Sequence, residues 1–341
     1  MLNTVKELCA LSGVGGWEDE VRGYIRAHAA PYADEMRTDT LGNLIVFKRG
    51  AKATGSKLML CAHMDEVGLI VRAVTDEGYL KFDCVGGIDR RILIGKKVLV
   101  GIKKIPGIIG IKAYHLVSEE EEKKPPKADD LYIDIGASDR EEAESLVELG
   151  EPCVFDSDSE EFGDGMFKAK AIDDRLCCAL FLKLMEQELP MDVTFVFSVQ
   201  EEVGCRGAFG AAFALEPEIA LVTDCTTAAD LPDVEPGKQV CRLGEGPVIP
   251  FMDGGAVTDR TLFEQMRRVA RENDIPWQTK HYVAGATDSS AIQRTKAGVR
   301  VLTVSAPIRY LHAPASVGCV KDFENMLQLL RCFIADTAAN S

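Results

Sequence analysis

Two apolar runs end in side chains that can hold a metal: Leu58 to Ala62 leads into His63 and Asp65, and Val193 to Val199 leads into Glu201 and Glu202. Asp224 follows Ile219 to Val222, and His312 lies a short loop beyond Val299 to Val304. A fifth segment, Asp173-Asp174-Arg175, stands just before a helix-like stretch. Imidazole and carboxylate donors in this combination suit borderline-soft divalent ions, so the chemistry indicated is metal-assisted hydrolysis.

Each element of the set also has a plainer reading. His63 with Asp65 can be a loop histidine beside an unrelated acid; as a ligand, His63 would give its other ring nitrogen to a carboxylate or carbonyl, a place Asp65 can fill unless it holds another partner. One of the paired aspartates can cap the helix while Arg175 pairs with the other. In a dimetal site a carboxylate bridges two ions about 3.5 to 4 Å apart, so Asp173 is read as the bridge and Asp174 as the cap. Glu201 and Glu202 can be solvated charges opening the next helix. They also end an apolar run where uncompensated charge is costly, and adjacent side chains on extended backbone face opposite ways. One can then bind metal while the other works beside it. Asp224 can be a turn residue, and His312 a satisfied loop histidine.

The elements that would position these groups follow from periodicity. Residues 3–12 and 18–30 have helical spacing, and 44–47 and 58–62 read as strands. From Gly68 the texture changes to short β-type runs separated by glycines, at 68–74, 79–84, 97–102, 108–112 and 131–135. This predicts a small β-barrel or sandwich inserted into an α/β domain. Residues 118–130, charged and proline-bearing, read as a solvated loop or short helix. Strand and helix alternate again past Gly163: helices near 174–188, 206–214, 259–273 and 320–338, strands at 193–199, 219–223 and 299–304. Ligands of open α/β sheets gather outside the carboxyl ends of the strands, so four strand ends bearing His, Asp and Glu predict one shared site.

Composition narrows the class. A chain of 341 residues, 46% of them hydrophobic, can bury one large core or two. The formal net charge of -15 argues against a polyanion partner, and there is no basic cluster for nucleic acid. No apolar run approaches the roughly 18 to 20 residues that span a bilayer, and Met1 to Gly13 lacks the sections of a signal peptide. The expectation is a cytoplasmic protein without a membrane partner. Eleven cysteines without CxxC spacing read as reduced core residues.

Taken together, His63-Met64-Asp65-Glu66-Val67-Gly68, Ala171-Ile172-Asp173-Asp174-Arg175, Gln200-Glu201-Glu202-Val203-Gly204 with Arg206-Gly207-Ala208, Thr223-Asp224, Gly285-Ala286-Thr287-Asp288 and Arg309-Tyr310-Leu311-His312 resemble the signature of the glutamyl-aminopeptidase and TET-type family of dimetal aminopeptidases. Gly86-Gly87 and the run from Leu131 to Ala137 extend the resemblance along nearly the whole chain. Cys177 and Ala286 depart from it, each standing where the family pattern has glycine.

The resemblance implies a mixed-sheet, zinc-peptidase-like α/β sandwich, residues 1–67 and 164–341, with an inserted β-barrel of dimerisation or lid type at 68–163. It implies two divalent ions per subunit, zinc or cobalt with manganese also accepted, and removal of N-terminal residues from short peptides. By that analogy His63 and Asp224 hold one metal, Glu202 and His312 the other, and Asp173 bridges them. Glu201 is then general base, and Asp65 orients His63. The family also implies a homo-oligomer, a dodecamer built from dimers. The same ligand set would serve a carboxypeptidase, a deblocking aminopeptidase or a deacylase of N-acyl amino acids, and a non-catalytic scaffold is a further reading. A glycosidase would not need His63 and His312, and Trp17 and Trp277 offer no sugar platform. A pocket for acidic side chains needs a nearby cation, for which Lys280, Arg260 and Arg294 are candidates, and a leucine pocket needs an apolar wall.

Overall fold

The computed structural model describes residues 1–51, 53 and 57–340. The bounds expected for the α/β part also take in residues 52, 54–56 and 341, which lie outside the described residues. Strands β1 (Glu35–Thr38), β2 (Leu44–Lys48) and β3 (Leu58–His63) precede the change of texture at Gly68. Strands β4 (Gly68–Val74), β5 (Leu80–Val85), β6 (Lys97–Val100), β7 (Ile105–Ile111), β8 (Leu131–Asp134) and β9 (Pro152–Phe155) follow it. The remainder are β10 (Glu160–Phe162), β11 (Met166–Ala169), β12 (Val193–Ser198), β13 (Ile219–Thr227), β14 (Arg300–Arg309) and β15 (Ser316–Cys319). The helices are α1 (Leu2–Ala10), α2 (Asp19–Ala29), α3 (Glu119–Glu122), α4 (Arg140–Leu146), α5 (Ile172–Met185), α6 (Arg206–Leu215), α7 (Arg260–Glu272), α8 (Ser289–Ile292) and α9 (Val320–Ala339).

A nine-stranded sheet runs in the order β1-β2-β12-β3-β13-β14-β15-β11-β10. Its centre, β12-β3-β13-β14, is parallel and its flanks are antiparallel. The fold is thus a mixed-sheet α/β architecture. Central strands covered on both faces read as continuous apolar runs, and side chains alternate between the faces. In β3, Leu58, Leu60 and Ala62 join a core shared with α1, α2, α5 and α9. Met59 and Cys61 join a second core against the alanines of α6 and Ile292 of α8. In-register parallel pairing sets His63 beside Ser198, which brings the ends of β3 and β12 together.

Strands β4-β5-β8-β7-β6-β9 form a closed barrel around its own core of Leu69, Phe82, Val98, Ile133 and neighbours. Closure removes free sheet edges, which a small β unit must otherwise protect. Within 118–130 the short helix α3 forms, held by a capping box between Ser118 and Glu121. Three differences from expectation bear on the site. Strand β10 falls inside the expected insertion but pairs with β11 in the large sheet. Strand β13 continues to Thr227, so Asp224 sits within a strand and is no turn residue. Strand β15, not foreseen, pairs with β14 and makes the loop carrying His312 a tight return.

Candidate metal centre and active site

His63 is the last residue of β3 and is buried. Its Nδ1 donates to the main-chain carbonyl of Asp65 at 3.0 Å, so Nε2 is the ring nitrogen left for a metal once its proton is displaced. That Nε2 lies 3.1 Å from Asp173 Oδ1 and 3.9 Å from Asp224 Oδ1. His312, from the loop between β14 and β15, repeats the arrangement. Its Nδ1 donates to the Gly87 carbonyl at 2.9 Å, and its Nε2 stands 3.3 Å from both Asp173 Oδ2 and Glu202 Oε1. One carboxylate, Asp173, therefore spans two histidines, an oxygen to each. Gly87 comes from the barrel side of the chain, and its neighbour Gly86 has φ +83°. A Cβ at Gly86 would stand 2.8 Å from Val67 Cγ1 and 3.4 Å from Glu202 Cβ, so a side chain there would push this loop off the glutamates.

Asp65 is fully buried, and its carboxylate does more than face His63. Its Oδ1 accepts the Glu201 N–H at 2.9 Å and its Oδ2 the Glu202 N–H at 3.0 Å, while Oδ1 stays 3.5 Å from His63 Nδ1. The carbonyl orients the imidazole; the carboxylate fixes the turn bearing both glutamates. Asp174, expected as a helix cap, instead accepts the His63 N–H at 3.3 Å, and α5 has no side-chain cap bond. Arg175, expected to pair with an aspartate, reaches Glu66 at 3.1 Å and the carbonyls of Met64 and Leu8. Lys170 completes that buried pairing, 2.8 Å from each Glu66 oxygen. The network holds the segment leaving β3, which is why α5 and β3 present Asp173 and His63 to each other.

Electrostatics favour a cation here. Burial pushes the Glu201 and Asp224 carboxyls well above the usual carboxylate range, and neighbouring carboxylates add to it. Glu202 is raised by burial too, although His312 opposes the shift. For His312 burial works downward but Asp173 and Glu202 outweigh it, pushing the imidazole up to about 11. Burial likewise favours the neutral carboxyl of Asp173, yet the two histidines hold it well below its ordinary range. Among the described residues, Glu202 Oε1 is buried with His312 Nε2 at 3.3 Å as its one polar neighbour and no well-formed hydrogen bond. Ligand atoms of His63, Asp173 and Glu202 all lie within 4.8 Å of one another. Two imidazoles with tethered Nδ1 and Nε2 left for a metal, a spanning carboxylate and a buried oxygen without a well-formed hydrogen bond fit a divalent-metal centre.

Asp173, Glu202, Asp224 and His312 line a cavity of about 320 Å³ together with Glu201, Cys205, Lys280 and Ala286, and His63 lies behind that lining. A larger groove of about 470 Å³, at Leu189, Pro190 and Gln328, has none of this chemistry. Two residues had no role assigned from sequence. Asp288 accepts the Ser198 hydroxyl at 2.6 Å, its Oδ1 has no partner, and burial lifts its pKa to about 6. The Cys205 thiol donates to Glu201 Oε1 at 3.4 Å. The Thr287-Asp288 pair was the available signal for the first. Cys177, one of the departures, is buried with its thiol 3.7 Å from the Asp224 carbonyl, behind the site and outside the cavity lining.

A mixed α/β sheet with a closed barrel beside an acidic and histidine-lined cavity defines a metal-hydrolase type of site. The chain belongs to the M42 glutamyl aminopeptidase family, whose model matches residues 42–329, and it is an enzyme acting on peptide bonds. It is 36% identical to a putative aminopeptidase of Acetivibrio thermocellus over 97% of each chain. It is 32% identical to the lysyl aminopeptidase of Pyrococcus furiosus, over 97% of this chain and 96% of that one. Among solved structures, the TET1 peptidase of Pyrococcus horikoshii, which assembles into a tetrahedron or a large octahedral shell, superposes with a TM-score of 0.86 at 33% identity over 98% of each chain.

Proposed function

We propose that this enzyme is a metal-dependent aminopeptidase that removes N-terminal residues from short peptides with two divalent ions. The observation carrying this is Asp173, whose two oxygens face two different histidines at 3.1 and 3.3 Å. His63 and Asp224 would hold one ion, Glu202 and His312 the other, with Asp173 across both. Such a pair, when bound, lowers the pKa of water between the ions and polarises the scissile carbonyl. Zinc or cobalt suits this donor set, and manganese is accepted by the same ligands. Glu201 makes no ion pair with His63 or His312 among the described residues and lines the cavity; it is the general base, taking a proton from water and returning it to the leaving amine. Asp65 is a positioning residue, acting through the Glu201 and Glu202 amides and the His63 ring.

The chain divides, in this reading, into a catalytic α/β part, 1–67 with the residues beyond the barrel, and an inserted barrel starting at Gly68. The pairing of β10 with β11 supports moving the second boundary from 163 to the segment 156–159 before Glu160. The shell formed by the Pyrococcus horikoshii relative supports a closed homo-oligomer for this chain, a dodecamer built from dimers. No helix among the described residues is long and apolar enough to cross a membrane, and all eleven cysteines are free, which supports a reducing, cytoplasmic location.

The test is to strip metal with chelator, restore zinc, cobalt or manganese, and follow release from aminoacyl-p-nitroanilides with and without an N-acetyl group. Metal-dependent cleavage confined to free amines is the expected result. Release of p-nitroaniline from the acetylated substrates would replace this reading with a deblocking aminopeptidase, and release of acetate from them without p-nitroaniline would replace it with a deacylase.

A further inference from the structure

Another cavity, of about 660 Å³, adjoins the 320 Å³ one lined by the metal ligands, and the two share Thr227 and Leu311 in their walls. Leu311 and Ala313, both in the wall of the larger space, flank His312 in sequence, so this cavity begins beside the metal centre. Tyr310 and His312 both have positive φ, +57° and +59°. That conformation costs a non-glycine residue free energy and persists where the surroundings hold it. The loop so bent carries His312 in one wall and Tyr310 in the other. The segment between β5 and β6 of the barrel adds Asp89, Arg91, Ile92 and Lys96 to the larger space.

The charge of this lining is opposite to that of the chain. The chain carries -15, yet Arg91, Lys96 and Arg309 face a single acid, Asp89, around the cavity. Two of the three cations already have partners. Arg309 bonds to Asp230 through two nitrogens, each at 2.7 Å, and Arg91 turns Nε and Nη2 on Asp89. Lys96 is exposed, and its ammonium has no ion pair or hydrogen bond among the described residues. Its main chain, by contrast, is held: its N–H donates to the Leu93 carbonyl at 3.1 Å and its carbonyl accepts the Ile109 N–H at 2.9 Å. A free cation on fixed backbone in a cavity of net positive lining is placed to attract an anionic group, and the apolar Ile92, Leu231 and Leu311 beside it suit a ligand that is otherwise uncharged.

We propose that this cavity receives the part of the peptide beyond the scissile bond and that the Lys96 ammonium receives its C-terminal carboxylate, which makes the enzyme selective for short peptides with a free C-terminus. This rests on the aminopeptidase reading of the adjoining metal centre. Lys96 is anchored on the barrel, so the advantage of a free carboxylate is greatest at one peptide length and falls away beyond it. An acidic side chain in the leaving peptide offers the same chemical group, and the experiment separates the two sources.

With metal-loaded enzyme, kcat and KM are measured for di-, tri-, tetra- and pentapeptides that begin with the residue whose p-nitroanilide is cleaved fastest and continue in glycine. Each is supplied as free acid and as C-terminal amide, and a further amide series carries glutamate in the leaving part. At the preferred length the KM of the free acid should lie about 3- to 10-fold below that of its amide with kcat little changed, the size expected for an exposed hydrogen bond between charged groups. The glutamate-bearing amides should gain nothing. Lys96→Met should bring the acid-to-amide ratio of kcat/KM close to unity, Lys96→Arg should retain part of it, and Lys96→Glu should favour the amide. Added salt should shrink the ratio in the unaltered enzyme. Melting curves check folding of the variants. Should none fold, inhibition of p-nitroanilide cleavage in the unaltered enzyme decides, with glycine peptides expected to inhibit more strongly as free acids than as amides. Equal KM for acid and amide at every length, an unchanged ratio in Lys96→Met, or equal inhibition by the two forms would overturn the carboxylate site and leave the aminopeptidase standing. A gain from the glutamate side chain with none from the free terminus would overturn the C-terminal assignment. No cleavage of any free-amine substrate would overturn both readings.

Discussion

Glu201 and Glu202 are neighbours in sequence with different partners: Glu202 reaches His312, whereas the side-chain hydrogen bond of Glu201 among the described residues comes from the Cys205 thiol. Glu201→Gln should therefore keep its metal content by elemental analysis while kcat falls about 10²- to 10⁴-fold, the range for a lost general base. Glu202→Ala should lose metal. Equal metal loss in both variants would mean the roles are reversed. Metal binding should also be linked to protons. Without a cation, burial holds the Glu201, Glu202 and Asp224 carboxyls above their ordinary range, and His312 stands at about 11. Ions must displace protons from the ligands Glu202, Asp224 and His312, so apparent affinity should strengthen as pH rises. Titration calorimetry in buffers of different protonation enthalpy should report proton release; a buffer-independent heat would contradict it. That these donors converge was legible, because charged side chains closing apolar strands are costly unless they meet a partner. The Asp65 carboxylate bonds to the Glu201 and Glu202 amides were not, since they depend on the register that sets His63 beside Ser198.

At the scale of elements, the turn between β12 and α6 holds the glutamates, and Gly207 is what lets it close. Its N–H bonds to the Val199 carbonyl at 3.0 Å, and Asn43 ties the Gly207 carbonyl to the Val199 N–H. A Cβ at Gly207 would stand 2.5 Å from the Val199 carbonyl oxygen and 2.2 Å from Asn43 Oδ1. Alanine in a helix ordinarily stabilises by about 1 kcal/mol over glycine, but here backbone atoms would have to move, at about 1–3 kcal/mol for overpacking. The clash should win, so Gly207→Ala should lower the urea midpoint and reduce turnover together; a stabilised, fully active variant would refute this. The long strands β3, β12, β13 and β14 were legible because burial on both faces makes them continuous apolar runs. The short strands β9, β11 and β15 were not. Met166–Ala169 and Ser316–Cys319 are four residues each with no clear period, and they are strands because each lies against the other. Helix α4 was missed as well, since its charged Arg140–Leu146 sequence buries only Ala143.

Across the whole molecule, the barrel leaves Ile102 and Leu149 exposed, on turns brought together where the Ile102 N–H donates to Glu151 at 3.3 Å. Apolar side chains so placed suit contact with another copy of the chain. Replacing both with glutamate should leave the protomer folded, since neither side chain is in the core, and should shift sedimentation from a closed assembly to a smaller species that still cleaves dipeptide-sized substrates. A monomeric unaltered protein would remove the premise. The charge of the chain sets the salt dependence. Each protomer carries -15, so copies repel across solvent, and apolar contact must overcome that repulsion. Screening shortens the reach of these charges from about 30 Å at about 0.01 M salt to about 8 Å at about 0.15 M, while apolar association does not weaken as salt is added. The assembly should consequently loosen at low ionic strength and tighten as salt is raised. Sedimentation across a salt series distinguishes the cases: an interface built on ion pairs would respond in the opposite direction, dissociating at high salt, and would move the contact from Ile102 and Leu149 to the charged residues around them.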